Sequence, residues 1–300
     1  MGKRASTQSS GTPRGPEGFE RYYADLFADR WPALRESLLA SGTTVAFTRG
    51  LEAPYYLDPA SILAAECLEV EPTHEVLDLC AAPGGKSLVL ASRLCETQGG
   101  ETREQEARGR LVCNERSSAR RARLHRVLDT HLGRDLRTRV QVAGHDAARW
   151  ALHEPASYDR VLADVPCSSE QHVIQSQAAL AEWSASRTRR LALGAYAIAC
   201  AAVDSVRPGG RVVYSTCALS PLENDGVIAK LVKRGKGSIS IVDAGPVIAR
   251  AAADLPHLHG APGSRTDCGW MILPDSDGGL GPIYIAIVER APNGAEHAPD

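Results

Sequence analysis

Six short runs rich in branched apolar residues recur along the chain from Glu75 onward, and helix-like stretches separate most of them. The runs are EVLDLCA (75–81), RLVCNE (110–115), TRVQVAG (138–144), YDRVLADV (158–165), GRVVYSTC (210–217) and SISIVDA (238–244). Near-continuous hydrophobicity over so few residues marks strands covered on both faces. Alternation with helical stretches such as 117–132 and the Ala-rich 177–206 then selects an α/β fold, a doubly wound, mainly parallel sheet. The closing run YIAIVER (284–290) is expected to supply a last edge strand.

The remaining segments frame that sheet. Residues 1–18 hold Ser, Thr, Gly and Pro with no acid before Glu17, and read as a flexible tail or as an organelle transit segment. Residues 19–70 form a small N-terminal helical extension, in which Tyr22, Tyr23, Leu26, Phe27, Leu34, Leu38 and Leu39 fall at helical spacing and Pro32 marks a break. The main α/β domain spans 71–292, with a polar surface insertion at 96–109, and 293–300 is a C-terminal tail. Arg and Lys number 34 against 36 acids in 300 residues, so a uniformly basic surface is excluded and a polyanion partner must meet a local patch. No apolar run approaches about 18 residues, so no membrane partner is expected.

In a sheet of this kind, ligands sit at the carboxyl ends of the strands, over the first strand-to-helix turn. Here that turn is Cys80-Ala81-Ala82-Pro83-Gly84-Gly85-Lys86. Small residues let the backbone approach a ligand, and the following helix offers unpaired N–H groups to an anionic end. The turn is neither GxGxxG nor a P-loop, since the spacing of its glycines fits neither. A nucleoside ligand also needs a carboxylate after the second strand to take two ribose hydroxyls, which Glu115 supplies. Asp146, after the third strand, is placed to accept from an exocyclic adenine amine. An adenosine-containing cofactor with a carboxylate tail is implied, and S-adenosylmethionine fits.

The fourth strand runs into Asp164-Val165-Pro166-Cys167-Ser168-Ser169 and the fifth into Tyr214-Ser215-Thr216-Cys217. Both cysteines thus emerge at the ligand edge among turn residues, as reactive thiols rather than core ones. Cys80, Cys113 and Cys200 instead lie in apolar runs, where a reduced Cys acts as a small core residue. With no CxxC pair and no His at ligand spacing, no metal site is expected.

VLDLCAAPGGKS, DVPCSS and YSTCALSPLEN resemble the motifs of the Sun/RsmB family of RNA cytosine-5 methyltransferases, over about residues 55–290. FERYYADLFADRWPALRESLLA, PYYLDPASIL, SSEQH and GWMILPDSDGGLGPIYIAIVER resemble its mitochondrial small-subunit rRNA branch. The resemblance implies a Rossmann-like class I methyltransferase fold, S-adenosylmethionine as cofactor and mitochondrial location, with cytoplasm or nucleolus as alternatives. It implies that Cys217 attacks carbon 6 of cytosine, that Cys167 assists product release, and that Asp164, with Lys86 beside it, bonds ring nitrogen 3. Cofactor contacts are implied for residues 80–86, Glu115, Asp146 and Asp164. The chemistry requires such a set. Carbon 5 of cytosine is a poor nucleophile until a thiolate adds at carbon 6 and an acid protonates nitrogen 3, and a thiol of pKa ~8.5 needs help to ionise. The residues alone do not choose between the two cysteines. One departure stands out: many members have Pro-Cys-Ser-Gly, and here the fourth residue is Ser169.

RNA is the implied partner, as rRNA in a small ribosomal subunit or its precursor, with an mTERF-type or assembly protein supplying contacts that larger relatives carry themselves. Two basic clusters suit it. Residues 110–139 hold nine arginines (110, 116, 120, 121, 123, 126, 134, 137 and 139) against three acids, and Arg187, Arg189 and Arg190 follow the Pro-Cys loop. Trp183 is placed to stack a base or, more commonly, to fill core, and His257 and His259 read as loop. The competing functions are a ribosome-assembly factor that keeps the fold without turnover, and a Cys hydrolase, which would need a His such as His172 against one of the thiols.

Overall fold

The computed structural model describes residues 13–40, 42–95, 109–255, 258 and 260–292. The chain opens with α1 (Gly15–Phe27) and α2 (Trp31–Leu39), a hairpin of β1 (Val45–Phe47) and β2 (Tyr55–Leu57), and α3 (Pro59–Glu66). There follow β3 (Glu75–Asp78), α4 (Gly85–Leu94), β4 (Arg110–Asn114), α5 (Ser118–His131), α6 (Arg134–Thr138), β5 (Val140–Ala143) and β6 (Tyr158–Asp164). Next come α7 (Glu170–Gln175), α8 (Gln177–Ala181), α9 (Ala185–Ser205), β7 (Val206–Thr216), α10 (Asp225–Gly235) and β8 (Ile239–Val242). The last elements are α11 (Ala244–Ala253), β9 (Ser264–Arg265), β10 (Trp270–Ile272) and β11 (Ile283–Arg290).

Strands β5-β4-β3-β6-β7 are parallel in that order, and β11 pairs antiparallel with β7. The last strand is therefore interior, not the expected edge. Its other side is shared by β10 near Ile283 and β8 near Arg290, and Ile283–Val288 are all buried. Each face of the sheet carries its own core. On one, Leu63, Leu88, Leu124 and Ile248 pack from α3, α4, α5 and α11. On the other, Trp150, Ala199, Ile228 and Leu231 pack from a 3-10 turn, α9 and α10.

The N-terminal part differs from expectation in two ways. Helix α1 starts at Gly15, inside the stretch read as a tail, because Pro13 and Arg14 are already tied down. Gly15 N–H donates to Trp183 O (2.9 Å), and Ala185 N–H to Pro13 O (3.2 Å). The extension is not wholly helical, since β1 and β2 lie within 19–70. It is also tied to the main domain, a packing that helical spacing alone does not predict. Phe19, Tyr23, Trp31, Leu34 and Leu38 form a third core with Val173, Ile174 and Trp183, so the segment after Pro166-Cys167 is clamped by the N-terminal helices. That clamp splits the single helix expected over 177–206. Trp183 turns inward against Phe19, ring centroids 5.4 Å apart, and Ser184 caps a fresh helix by accepting from Arg187 N–H (3.4 Å). Residues 1–12, the insertion apart from Gly109, His257, His259 and the tail 293–300 lie outside the described residues.

Candidate active site

All five parallel strands end on one edge, and the loops that leave them build the site. The turn after β3 is set by Asn114, whose side-chain amide donates to Leu79 O (3.0 Å) and His145 O (3.1 Å) while its backbone carbonyl accepts from Ala81 N–H (2.9 Å). Gly84 ends that turn with φ 121°, and a Cβ there would lie 2.9 Å from Val127 Cγ1, so only glycine fits the entry into α4. Two residues on, Lys86 reaches across the strand ends. Its Nζ donates to Asp164 Oδ2 (2.9 Å) and to Ser61 Oγ (3.3 Å). Burial opposes the charge on Lys86, but Asp164 more than offsets it and holds the ammonium above its ordinary pKa. Asp164 is itself oriented by Ser215 Oγ, which donates to Oδ1 (2.8 Å). Beneath the turn, Asp78 is buried and accepts from Ser87 Oγ (2.7 Å), and burial raises its carboxyl to about 7.

Two cavities adjoin along this edge and share Cys80, Arg120 and Pro166. The larger, about 460 Å³, has an apolar wall including Leu79, Ala147, Leu191 and Ile198, with Glu115 and Asp146 among its polar groups. Glu115 is buried; its Oε1 accepts from Ser117 N–H (2.7 Å), and Arg120 lies 3.4 Å from Oε2. Asp146 is half-buried and accepts from Ala148 N–H (3.2 Å). The smaller cavity, about 370 Å³, is lined by Asp58, Ser61, Lys86, Asp164, Cys167, Ser169, Gln171 and Cys217 among others. An apolar slot beside one buried and one half-buried carboxylate, opening towards a cationic and thiol-lined chamber, suits a flat adenine, a ribose and a charged tail in that order.

Within the chamber the two sulfurs stand 3.1 Å apart, both as free thiols. Ser169 Oγ lies 3.3 Å from Cys217 Sγ and 3.5 Å from Cys167 Sγ. The hydrogen bond with Cys167, helped by that with Ser169, holds the Cys217 thiol below its ordinary pKa against desolvation. The same sulfur pair, together with burial, pushes Cys167 well above. Either sulfur can donate to the other across that gap, and the surroundings draw the Cys217 thiol down and push Cys167 up. Behind the thiols lies a buried acid cluster. Ser168 Oγ bonds both Glu170 and Glu223, Glu170 also accepts from Tyr23 Oη and from Leu219 N–H (2.9 Å), and Glu223 accepts from Ser168 N–H (2.9 Å). Burial, reinforced by the charge of Glu170, raises Glu223 to about 7.

Of the sequence-predicted residues, Cys80, Ala82, Lys86, Asp164, Cys167 and Cys217 line the smaller cavity and Cys80, Glu115 and Asp146 the larger, whereas Ala81, Pro83 and Gly85 border a separate cavity of about 110 Å³ and Gly84 borders none of these. Cys113 is a core residue as expected, whereas Cys80 borders both cavities and Cys200 is half-buried. Among the described residues no histidine lines the thiol chamber, and His172 is exposed, which removes the pair a Cys hydrolase needs. Trp183 is core, 2% exposed. Of the nine arginines of the 110–139 stretch, four are part-buried and bound internally, whereas Arg116 and Arg120 are exposed beside Asp146 and Glu115. Arg110 pairs with Glu75, Arg137 with Asp129 (2.7 Å), Arg121 donates to Glu115 O (2.8 Å), Arg139 to Gly109 O (2.9 Å), and Arg120 faces the cofactor-shaped cleft. Arg123, Arg126, Arg134, Arg187, Arg189 and Arg190 are exposed. Sequence reasoning missed Asp58, Ser61, Gln171 and the Gly281-Pro282 turn, brought to the chamber from outside the strand-end motifs.

The model of the family described as 16S rRNA methyltransferase RsmB/F matches residues 65–244. The 5-cytosine rRNA methyltransferase NSUN4 of Bos taurus is 32% identical over 80% of this chain and 60% of its own length. The mitochondrial tRNA (cytosine(34)-C(5))-methyltransferase of Mus musculus is 31% identical over 93% of this chain and 72% of its own. The chain therefore spans three-fifths of the bovine relative. The crystal structure of NSun6 from Pyrococcus horikoshii with SFG has the same fold, with a TM-score of 0.59 at 21% identity over 82% of this chain and 55% of that one.

Proposed function

Because the chain belongs to the RsmB/F family of RNA methyltransferases, we propose that it methylates carbon 5 of a cytosine in RNA, with S-adenosylmethionine as cofactor and Cys217 as nucleophile. The observation that carries this reading is the Cys217 sulfur, approached by Cys167 and Ser169 beside the Lys86–Asp164 pair. The cofactor fits the cleft: Glu115 and Asp146 would hold the nucleoside, and Cys80, Ala82 and Arg120, at the border with the smaller cavity, the tail. When bound, S-adenosylmethionine supplies an electrophilic methyl group.

The chain's own residues do the rest. Cys217 thiolate adds to carbon 6 of the pyrimidine, and negative charge develops through the ring towards nitrogen 3. A proton for that nitrogen stands on Lys86 Nζ, 2.9 Å from Asp164 Oδ2, and Asp164 relays it as the base becomes basic. Once carbon 5 carries the methyl group and its proton has passed to solvent water, the bond to Cys217 breaks with its electron pair leaving on sulfur, Asp164 takes the nitrogen-3 proton back, and the departing thiolate regains the Cys167 hydrogen bond. Removing that donor leaves the free thiolate less stable and the adduct favoured. The rRNA of a mitochondrial small subunit is the substrate we propose, since the bovine relative is named for rRNA and the mouse relative for mitochondria. Near-neutral overall charge fits a substrate presented in an assembled particle or with a partner protein.

The test is incubation of C167A and C217A protein with small-subunit rRNA particles and labelled cofactor. C167A should trap RNA on protein through a bond stable to denaturant, and C217A should give neither adduct nor methylated RNA. Methylation that survives C217A would overturn the reading. Bisulfite sequencing after depletion then names the cytosine.

A further inference from the structure

Ser169 has a backbone and a side chain that ordinary loop chemistry does not explain. Its φ and ψ are 52° and 58°, the left-handed region where any Cβ is crowded and glycine is favoured. It also occupies the N-cap position of α7, where a serine normally accepts a hydrogen bond from the first turn of the helix, yet its hydroxyl makes no such cap. The hydroxyl is turned into the thiol chamber instead. Three partners surround it: Cys217 Sγ at 3.3 Å and Cys167 Sγ at 3.5 Å, each able to donate or accept, and Cys167 O, which accepts, at 3.5 Å. A sulfur acceptor at 3.3 Å is an ordinary contact, whereas a carbonyl at 3.5 Å is at the limit of bonding. The two sulfurs meet at 3.1 Å, where either can donate, and with Cys217 as the thiolate the donor is Cys167.

We propose that Ser169 is a catalytic hydroxyl, whose Oγ–H is held by the left-handed turn so as to donate to the Cys217 sulfur and stabilise it as a thiolate. The proposal rests on the reading of Cys217 as nucleophile. It makes the thiolate site a two-donor cradle, one S–H and one O–H, in the way that paired donors hold an oxyanion. The charged neighbours explain why neutral donors are needed. Asp164 at the end of β6 and Glu170 on α7 both oppose a negative sulfur, and the ammonium of Lys86 on α4 is engaged by Asp164. Hydrogen bonds from Cys167 and Ser169 act against that field.

The experiment is the pH dependence of iodoacetamide alkylation in the full chain, for wild type, S169G and S169A, read by mass spectrometry. Cys217 falls in tryptic peptide 212–230 and Cys167 in 161–187, so each thiol is followed separately. S169G relieves the backbone strain and should melt no lower than wild type; S169A keeps the Cβ and removes only the hydroxyl. In both, the Cys217 midpoint should rise by about one pH unit, close to a tenfold loss of thiolate below it, and the acid limb of single-turnover methylation should move with it. Unchanged Cys217 midpoints in both variants would overturn the proposal. A shifted midpoint together with methylation that persists in C217A would instead uphold Ser169's effect on the thiol and sink the assignment of the nucleophile.

Discussion

Lys86 Nζ and Asp164 Oδ2 meet at 2.9 Å across 78 residues of sequence, joining the first turn of α4 to the end of β6. The pair spans the mouth between the parallel strands and the thiols, and both side chains are largely shielded, at 16% and 30% exposure. A shielded pair of this kind holds its geometry, which a surface pair in water does not.

K86M removes the proton source of the proposed relay while keeping the length and most of the volume of the side chain. The single-turnover methylation rate should fall by at least 100-fold, the usual scale for a lost general acid. S-adenosylhomocysteine affinity, measured by calorimetry, should stay within about threefold, because Glu115 and the apolar slot are untouched. A K86M rate within tenfold of wild type would route the proton elsewhere.

The buried acid cluster predicts how stability depends on pH. Glu223 and Asp78 are both raised to about 7, from ordinary values of 4.5 and 3.8. The native state therefore binds more protons than the unfolded chain over that window, and stability must fall as pH rises through it, by about 1.4 kcal/mol per pH unit for each group fully engaged. Glu69 acts in the opposite sense: despite partial burial, Arg250 and Arg211 hold it below its ordinary value, so its contribution is lost in acid. Melting temperature should peak near pH 5 and decline towards pH 7.5, and E223Q should flatten that decline. Equal slopes in wild type and E223Q would remove Glu223 as the cause.

The strands of the sheet were legible because a buried parallel strand has an unbroken apolar centre, as Leu111–Cys113 of β4 and Val161–Ala163 of β6 show, and because the carboxylates and cysteines sit at or just past their ends. The two short N-terminal strands were not, since Val45–Phe47 and Tyr55–Leu57 are three residues each and carry no period. The edge assignment of β11 failed for a related reason: burial on both faces is visible in IYIAIV, but whether a neighbour pairs with each side depends on β8 and β10, which follow other helices and turns. Tyr23 bonding Glu170 across 147 residues is a tertiary fact with no local signal. Which arginines of 110–139 are bound internally was not legible, because charge along a sequence does not reveal which carbonyls and carboxylates lie beneath each side chain.

Glu115 gives the clearest test of where the cofactor binds. It is buried, with Oε1 fixed by Ser117 N–H at 2.7 Å and Oε2 facing the larger cavity's polar side near Arg120. A hydrogen bond to a charged group is worth ~1.5–3 kcal/mol, so E115A should weaken S-adenosylhomocysteine binding by about 10- to 100-fold in calorimetry. D146A should cost less, since Asp146 is more exposed and already caps Ala148 N–H. Undiminished affinity in E115A would move the nucleoside out of this cavity.

The exposed arginines predict the salt dependence of RNA binding. Arg187 and Arg189 stand on the first turns of α9, directly after the clamped segment that carries Cys167, and both are exposed. Arg137 is the contrasting case, because its guanidinium is committed to Asp129 and to Val140 O, each at 2.7 Å. A phosphate contact releases counterions and an internal ion pair does not, so only the first kind changes the slope of log K against log salt, by ~0.7 for each contact to a single strand. R187A/R189A should reduce that slope by about 1.4 with little change in melting temperature. R137A should leave the slope alone and lower the melting temperature. If the double variant keeps the wild-type slope, RNA does not contact Arg187 and Arg189, and the exposed Arg116, Arg123, Arg126 and Arg134 are the next to substitute.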